Sequence, residues 1–223
     1  MFKNRNIYLK DSIKKVYPSV VMLKQIKGVL GSGFIYKIKD EYAYILTNYH
    51  VVNGSYEYKT TIYNGETLVS KLVGKDYDND IAVLRTDASK VSSIVKLGNS
   101  ENLEVGDDVF AIGSPLNPDY IGTVTKGIVS STNRILKLNK NFEISVIQTD
   151  AAINCGNSGG PLCTIDGKVV GMVSAKINSS GVEGMNFAIP INRALEIANK
   201  LEKKEFEYAE PIKIKVKRKV KEI

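Results

Sequence analysis

The sequence predicts an all-β protein of two β-barrels followed by one C-terminal α-helix. Residues 16–189 consist mainly of short runs rich in Val, Ile, Tyr and Thr, separated by Gly, Asn, Asp and Ser, which is typical of strands and turns. A polar, turn-rich segment at 96–106 divides these runs into two sets of about six. After Pro190 the spacing of apolar residues becomes helical, at Ile191, Ala194, Leu195, Ala198 and Leu201.

The predicted strands are short and regularly spaced, which suits barrels or a sandwich. They cover 19–24, 33–38, 43–48, 56–63, 67–74 and 81–85 in the first set, and 108–112, 124–135, 144–149, 160–164, 168–175 and 185–189 in the second. We interpret the 96–106 segment as a linker between two six-stranded antiparallel barrels. The predicted organisation is an N-terminal segment at 1–15, barrels at 16–97 and 98–190, a helix at 191–204 and a basic tail at 205–223.

Composition excludes several classes of function. The 223 residues include 31 Lys and Arg, 24 Asp and Glu, one His and two Cys, with a net charge of +7. Six basic residues and one acidic residue lie in 211–223, so the rest of the chain is close to neutral. Nucleic acid is therefore not an expected partner, and only the basic tail could contact a polyanion. One His and two Cys cannot supply the usual zinc ligands, so we expect no metal and no cofactor.

Targeting signals are not evident. No apolar run reaches the length of a signal-peptide core or a membrane-spanning helix. The two cysteines, Cys155 and Cys163, form no disulfide framework, which agrees with a reducing compartment. We therefore expect a cytoplasmic protein.

Residues 156–161 (GNSGGP) carry Ser158 as a candidate nucleophile. Glycines permit unusual backbone angles and close approach of a substrate carbonyl, so that the amides of Gly156 and Ser158 can converge on one oxygen. The same G-x-S-x-G spacing occurs in α/β-hydrolases, but their His follows the Ser, whereas the only His here precedes it. The order His, Asp, Ser is instead that of the chymotrypsin-type arrangement.

Any imidazole acting as a general base must be His50, because the chain has no other. Its partner must accept a hydrogen bond from Nδ1 and stabilise the imidazolium. Asp76, Asp78 and Asp80 share one turn, and for all three the alternative is an acidic turn in water. Asp80 is the favoured candidate because it directly precedes the apolar run 81–84, and Asp78 is the second choice.

Several segments resemble, in the same order, the signature segments of HtrA/Deg-type trypsin-like serine proteases. They are 31–34 (GSGF), 47–52 (TNYHVV), 80–84 (DIAVL), 111–115 (AIGSP), 148–153 (QTDAAI), 156–162 (GNSGGPL) and 186–190 (NFAIP). The resemblance extends over roughly 16–201, and co-linear segments are more specific than any single motif. Members of this family usually carry a PDZ domain after the protease, and we expect this chain to lack one. Homo-oligomerisation, common in the family, stays open.

The resemblance implies a trypsin-like serine endopeptidase that acts on protein or peptide substrates. His50 would be the base, Asp80 its orienting acid and Ser158 the nucleophile. The first barrel would supply His50 and Asp80, and the second barrel Ser158. The oxyanion hole would be formed at Gly156, Asn157 and Ser158.

The resemblance also implies a specificity pocket, assigned by position relative to Ser158. Its floor would be Ala152, with walls from Ile153, Ser174, Ala175, Lys176 and Met185. None of these residues carries a carboxylate, so we expect small or medium aliphatic side chains before the scissile bond. Asn157 replaces the Asp that pairs with a freed N-terminus in digestive enzymes, so we expect activity without zymogen cleavage.

The expected substrates are unfolded or regulatory proteins. The alternative function is that of a chaperone-like or binding protein with a protease fold and a latent active site. The residues alone do not separate these two, because an intact triad says nothing about the order of the surrounding loops.

Overall fold

The computed structural model describes residues 2–24, 30–52, 54–114, 122–139, 142–175 and 184–208. The first six strands are β1 (Val20–Lys24), β2 (Leu30–Lys39), β3 (Tyr42–Thr47), β4 (Glu57–Thr61), β5 (Thr67–Asp76) and β6 (Ile81–Asp87). They pair antiparallel and close into a barrel in the order β1-β2-β3-β6-β5-β4.

Two of these strands are buried on both faces, which their uninterrupted apolar sequences indicate. In β3, Ala43 and Ile45 pack inside the first barrel, whereas Tyr44 and Leu46 belong to a cluster shared with the second barrel. The same alternation occurs in β6. Successive side chains of a strand point to opposite faces. Strand β3, which precedes His50, and strand β6, which follows Asp80, are therefore held between the core of the first barrel and the cluster shared with the second barrel.

The second barrel contains β7 (Lys96–Leu97), β8 (Asp108–Gly113), β9 (Thr123–Asn139), β10 (Phe142–Thr149), β11 (Pro161–Thr164), β12 (Lys168–Val173) and β13 (Asn186–Pro190). The sheet order is β11-β8-β9-β10-β13-β12-β7, and an additional pairing of β11 with β12 closes six of these strands into a ring. Strand β7 adds parallel to β12. The predicted all-β class with two six-stranded barrels is confirmed. One boundary differs, because Lys96–Leu97 pairs with the second barrel although we assigned it to the first.

Two helices flank the barrels. α2 (Ile191–Tyr208) confirms the predicted C-terminal helix, and Ala194, Ile197 and Ala198 are buried against the cluster shared by the barrels. α1 (Phe2–Val16) was not predicted. Leu9 and Ile13 pack against the same cluster at helical spacing. In the part of the chain that the structure describes, neither helix has the length and apolarity to cross a membrane.

Candidate functional site at the junction of the barrels

His50 lies just after β3, in a single 3₁₀ turn (Tyr49–Val52). Its Nδ1 atom is 2.9 Å from both carboxylate oxygens of Asp80, and its backbone N–H donates to Oδ1 of Asp80 at 3.0 Å. Asn48 donates from Nδ2 to the Asp80 carbonyl at 3.0 Å. The ring and the backbone of His50 are thus both oriented by one carboxylate, whose side chain is 5% exposed against 26% for the imidazole.

Of the three candidate acids, the structure brings only Asp80 to His50. Asp76 instead accepts hydrogen bonds from the backbone and side-chain amides of Asn79, at 2.9 and 3.0 Å. Asp78 is exposed. Asp80 has a positive φ of 54°, which is uncommon outside glycine and is tolerated best by Asp and Asn. The turn therefore holds Asp80 in a conformation that directs its carboxylate into the junction.

Ser174 contacts this carboxylate from the second barrel. Its hydroxyl donates to Oδ2 of Asp80 at 3.0 Å, and the residue is completely buried. We predicted that the 174–176 segment forms a wall of the specificity pocket, and within it the Ser174 side chain faces Asp80. No local sequence signal marks this contact, because the two residues are 94 positions apart.

Asn79 connects the turn of Asp80 to α2. Arg193 donates from Nε and Nη2 to the Asn79 side-chain oxygen at 3.2 and 3.0 Å, and from Nη1 to Glu196 at 2.9 Å. A surface pocket of about 700 Å³ borders Asn79 and Arg193 but is not lined by His50 or Ser158. The residue before Asp80 is thus fixed on one side by its own turn and on the other by the C-terminal helix.

Ser158 is the last residue of a tight turn at 154–158, here named the nucleophile turn. The Asn157 amide donates to the Asn154 carbonyl at 3.0 Å, and Gly156 has a φ of 98°, a combination typical of a type II turn. Gly159 is also fixed by sterics, because a Cβ there would lie 2.1 Å from the Ser32 carbonyl oxygen. These contacts explain why glycines flank the serine.

The Ser158 hydroxyl accepts a hydrogen bond from the Ala175 amide at 3.0 Å. Among the described residues it makes no hydrogen bond to His50. Ser174 and Ala175 are consecutive, and they contact Asp80 and Ser158 respectively. The second barrel thus brings the candidate nucleophile next to the carboxylate of the first barrel.

Two backbone amides of the nucleophile turn, those of Gly156 and Ser158, have no acceptor within the described ranges. The Asn157 amide does have one, the Asn154 carbonyl. The Asn157 amide is therefore engaged within the turn, and among the described residues of the turn the Gly156 and Ser158 amides are the ones left open. Two unpaired N–H groups beside a serine hydroxyl are the arrangement that stabilises an oxyanion.

The remaining pocket residues differ in exposure. Ile153 is buried in the core of the second barrel, and Ala175 packs against the same cluster. Ala152 is exposed, and its carbonyl accepts from the Thr125 hydroxyl at 2.9 Å. Met185 is 36% exposed. Lys176 lies outside the described residues.

Neither cysteine forms a disulfide, and their environments differ. Cys155 is exposed in the nucleophile turn, whereas Cys163 is buried in β11. Burial raises the pKa of the Cys163 thiol strongly, since the buried site disfavours a thiolate. No group of three or more metal-ligating His, Cys, Asp or Glu side chains occurs in the described part of the chain.

Comparison with known proteins gives one consistent result. Residues 31–172 match the family described as trypsin-like peptidase domain. The chain is 47% identical over 173 residues to serine protease Do-like HtrB of Bacillus subtilis, covering 76% of this chain and 38% of that protein. It is 46% identical over 178 residues to serine protease Do-like HtrA of Lactobacillus helveticus, covering 78% and 43%. It therefore spans about two fifths of the length of these curated relatives.

Similar solved structures are also HtrA-type proteases. HtrA-type protease AlgW with a tripeptide superimposes with a TM-score of 0.76 at 34% identity, covering 88% of this chain and 64% of that one. The same protease with a decapeptide gives a TM-score of 0.76 at 30% identity, covering 87% and 67%.

Proposed function

We propose, because the chain belongs to the trypsin-like peptidase domain family, that it is a serine endopeptidase with His50, Asp80 and Ser158 as its catalytic triad. The observation that carries the proposal is the paired contact at the junction of the barrels. The Asp80 carboxylate binds the His50 ring at 2.9 Å, and the consecutive Ser174 and Ala175 link Asp80 to Ser158. A lone acidic turn or a lone glycine-rich turn would not require either contact.

The reaction begins with rotation of the Ser158 hydroxyl from the Ala175 amide towards Nε2 of His50. Oγ then attacks the substrate carbonyl while His50 takes its proton, and Asp80 stabilises the imidazolium through Nδ1–H. The amides of Gly156 and Ser158 bind the developing oxyanion. His50 next protonates the leaving amine, and water hydrolyses the acyl-enzyme by the same steps.

The proposed specificity is for small or medium aliphatic residues before the scissile bond. Ile153, Ala175 and Met185 are apolar, and none of the described residues assigned to the pocket carries a carboxylate. A Lys or Arg side chain would be buried without a partner, which costs several kcal/mol. Profiling with a peptide library is expected to show cleavage after Ala, Val or related residues, and dominant cleavage after Lys or Arg would contradict the pocket assignment.

We also propose that the protease needs no N-terminal cleavage. Asn157 is neutral and 2% exposed, so no carboxylate is available there for a newly formed ammonium group. A chain with a short N-terminal extension should hydrolyse casein as fast as the unextended chain. An extended form that is inactive until it is trimmed would overturn this proposal.

The decisive experiment compares wild type with Ser158→Ala. Casein hydrolysis should fall about 10⁶-fold in kcat, and labelling by a fluorophosphonate probe should disappear. Ser145→Ala, which changes an exposed serine of the same barrel, is the matched control and should retain both. A folded wild-type protein that binds unfolded polypeptides but is neither labelled nor hydrolytic would instead support the latent, chaperone-like alternative.

A further inference from the structure

Ser32 is a buried serine of β2 that no step of the proposed reaction uses. It lies between Gly31 and Gly33 in the first barrel and is completely inaccessible to solvent. Its flanks are tightly packed, since a Cβ on Gly31 would lie 2.5 Å from the Val51 side chain. Burying a hydroxyl without a hydrogen bond costs free energy, so the partners of a buried hydroxyl indicate its role.

Ser32 contacts the nucleophile turn at two points. Its backbone N–H donates to the Ser158 carbonyl at 2.8 Å. Its hydroxyl donates to the Gly156 carbonyl at 2.7 Å and accepts from the Ser114 amide at 2.9 Å. One residue of the first barrel therefore binds the carbonyls of Gly156 and Ser158, the two residues whose amides face the proposed oxyanion hole.

The direction of the hydroxyl bond is fixed by its surroundings. A serine hydroxyl has a single proton, and the Ser114 N–H can only donate. The Ser32 proton is consequently available for the Gly156 carbonyl, the acceptor on its other side. The Ser32 carbonyl is itself held by the Thr47 hydroxyl at 2.7 Å, which keeps this part of β2 in place.

The segment that Ser32 binds is closed by one hydrogen bond of its own, from the Asn157 amide to the Asn154 carbonyl. Gly156 adopts a positive φ, but glycine populates negative φ about as readily, so it offers no steric resistance to rearrangement. Without the Ser32 proton, the buried Gly156 carbonyl would have no donor within the described ranges and would gain by turning towards water. The Gly156 carbonyl shares its peptide plane with the Asn157 N–H, so such a rotation would break the Asn157–Asn154 hydrogen bond that closes the turn. The Gly156 and Ser158 amides on either side of that plane would then lose their common orientation.

We propose that Ser32 is a positioning residue that holds the oxyanion hole in its donating geometry. The inference rests on the proposed protease function and deepens it, because it assigns the order of the hole to a side chain of the opposite barrel. It predicts a defect confined to transition-state binding, since Ser32 contacts no residue assigned to the specificity pocket in the described part of the chain.

The test is Ser32→Ala, with Ser70→Ala as the matched control. Both serines lie on strands of the first barrel, both are completely buried, and Ser70 pairs with the Thr60 hydroxyl at 2.6 Å. We expect Ser32→Ala to lower kcat about 10- to 100-fold with KM within twofold, given that losing one oxyanion donor costs about 10²–10³ in rate. Inhibition by a peptide aldehyde, whose adduct carries the oxyanion, should weaken by the same factor. Ser70→Ala should change neither quantity.

Folding is measured in parallel by urea unfolding, so that loss of structure is not mistaken for loss of positioning. If Ser32→Ala does not fold, Ser32→Cys takes its place, because a thiol retains a small side chain but is only a weak donor. Unchanged kcat and aldehyde affinity in the folded variant would overturn the proposal, and so would a rise in KM at constant kcat. If the wild-type protein is neither hydrolytic nor labelled at Ser158, the proposed protease function fails and the role of Ser32 fails with it. If the wild-type protein is active, the comparison with Ser32→Ala tests the role of Ser32 alone.

Discussion

The two halves of the candidate site are fixed in different ways. In the acid–base half, both oxygens of the Asp80 carboxylate are occupied, by the His50 ring, the His50 amide and the Ser174 hydroxyl. In the nucleophile half, Ser158 is bonded to the Ala175 amide rather than to His50. Buried side-chain oxygens without a partner among the described residues occur in both halves, at Asn48 in the acid–base half and at Ser114 and Asn157 in the nucleophile half.

The two halves thus differ in how many hydrogen bonds fix their geometry. The acid–base pair has its geometry before substrate arrives, because several hydrogen bonds independently direct one carboxylate. The nucleophile half depends on a glycine-rich turn that is restrained partly by its own barrel and partly by Ser32 of the other barrel. Among the residues that orient His50 and Ser158, activity should therefore be most sensitive to the Asp80 carboxylate and progressively less sensitive to the residues that surround it.

Apart from removal of the nucleophile itself, the largest effect is expected from Asp80→Asn. An amide cannot stabilise the imidazolium and favours the wrong tautomer of His50, so kcat should fall about 10⁴-fold. Fluorophosphonate labelling of Ser158 should slow accordingly. Asp78→Asn removes a neighbouring, exposed carboxylate of the same turn and should leave kcat within twofold. Equal losses in both variants would show that the charge of the turn matters rather than the contact with His50.

Ser174→Ala tests whether the second barrel contributes to the acid–base half. The variant deletes one hydrogen bond to a charged group, worth about 1.5 kcal/mol or more, so kcat should fall about tenfold. Steady-state kinetics with a peptide substrate measure this change. Ser19→Ala, which deletes a fully buried hydroxyl bonded to Ser93 at 3.0 Å, is the control and should lower stability without changing kcat. A wild-type kcat in Ser174→Ala would mean that the first barrel alone orients Asp80.

A smaller effect is expected from Arg193→Ala, which frees the Asn79 side chain from α2. We expect kcat to fall about threefold, because the guanidinium is partly exposed and such contacts are weakened by solvent. Arg193→Lys should not restore the rate, since an ammonium group cannot reproduce the forked contact with one oxygen. Lys200→Ala is the control, as Lys200 also pairs with Glu196 on α2, at 2.6 Å, but does not contact Asn79. Full activity of Arg193→Lys would refute the need for the fork.

The smallest effect is expected at the cysteines. Iodoacetamide should label Cys155 in the native protein, and Cys163 only after unfolding, because Cys163 is buried and its raised pKa keeps it a thiol at alkaline pH. Cys155→Ser should keep kcat within twofold. Mass spectrometry of labelled peptides measures the modification. Labelling of Cys163 in the native protein would show that the core of the second barrel opens readily.

Much of the fold follows from local patterns. The predicted strands are found because alternating or continuous apolar runs bounded by turn residues determine strands wherever a face is buried. The β7 pairing of Lys96–Leu97 was missed because two residues carry no periodicity. Helix α1 was missed because its apolar contacts with the core, Leu9, Ile13 and Val16, are few and the helical pattern they form is short.

The candidate site also contains residues that local sequence predicts and contacts that it does not. The residue types and their order along the chain were sufficient to nominate His50, Asp80 and Ser158, since a single His excludes every other imidazole base. The contact of Ser174 with Asp80 and the contact of the Asn157 amide with Asn154 were not predictable. Each depends on a hydrogen bond whose direction is decided by the turn geometry and by the packing of the barrels.

The sequence by itself thus determined the chemistry that is available and the strands that carry it, because residue identity and periodicity are local properties. Only the tertiary structure decided which acid faces His50, which amides stay unpaired beside Ser158 and which side chain holds the Gly156 carbonyl. Those outcomes join positions as far apart as Ser32 and Gly156, separated by 124 residues. They are decided by the packing of one barrel against the other, which no local pattern contains.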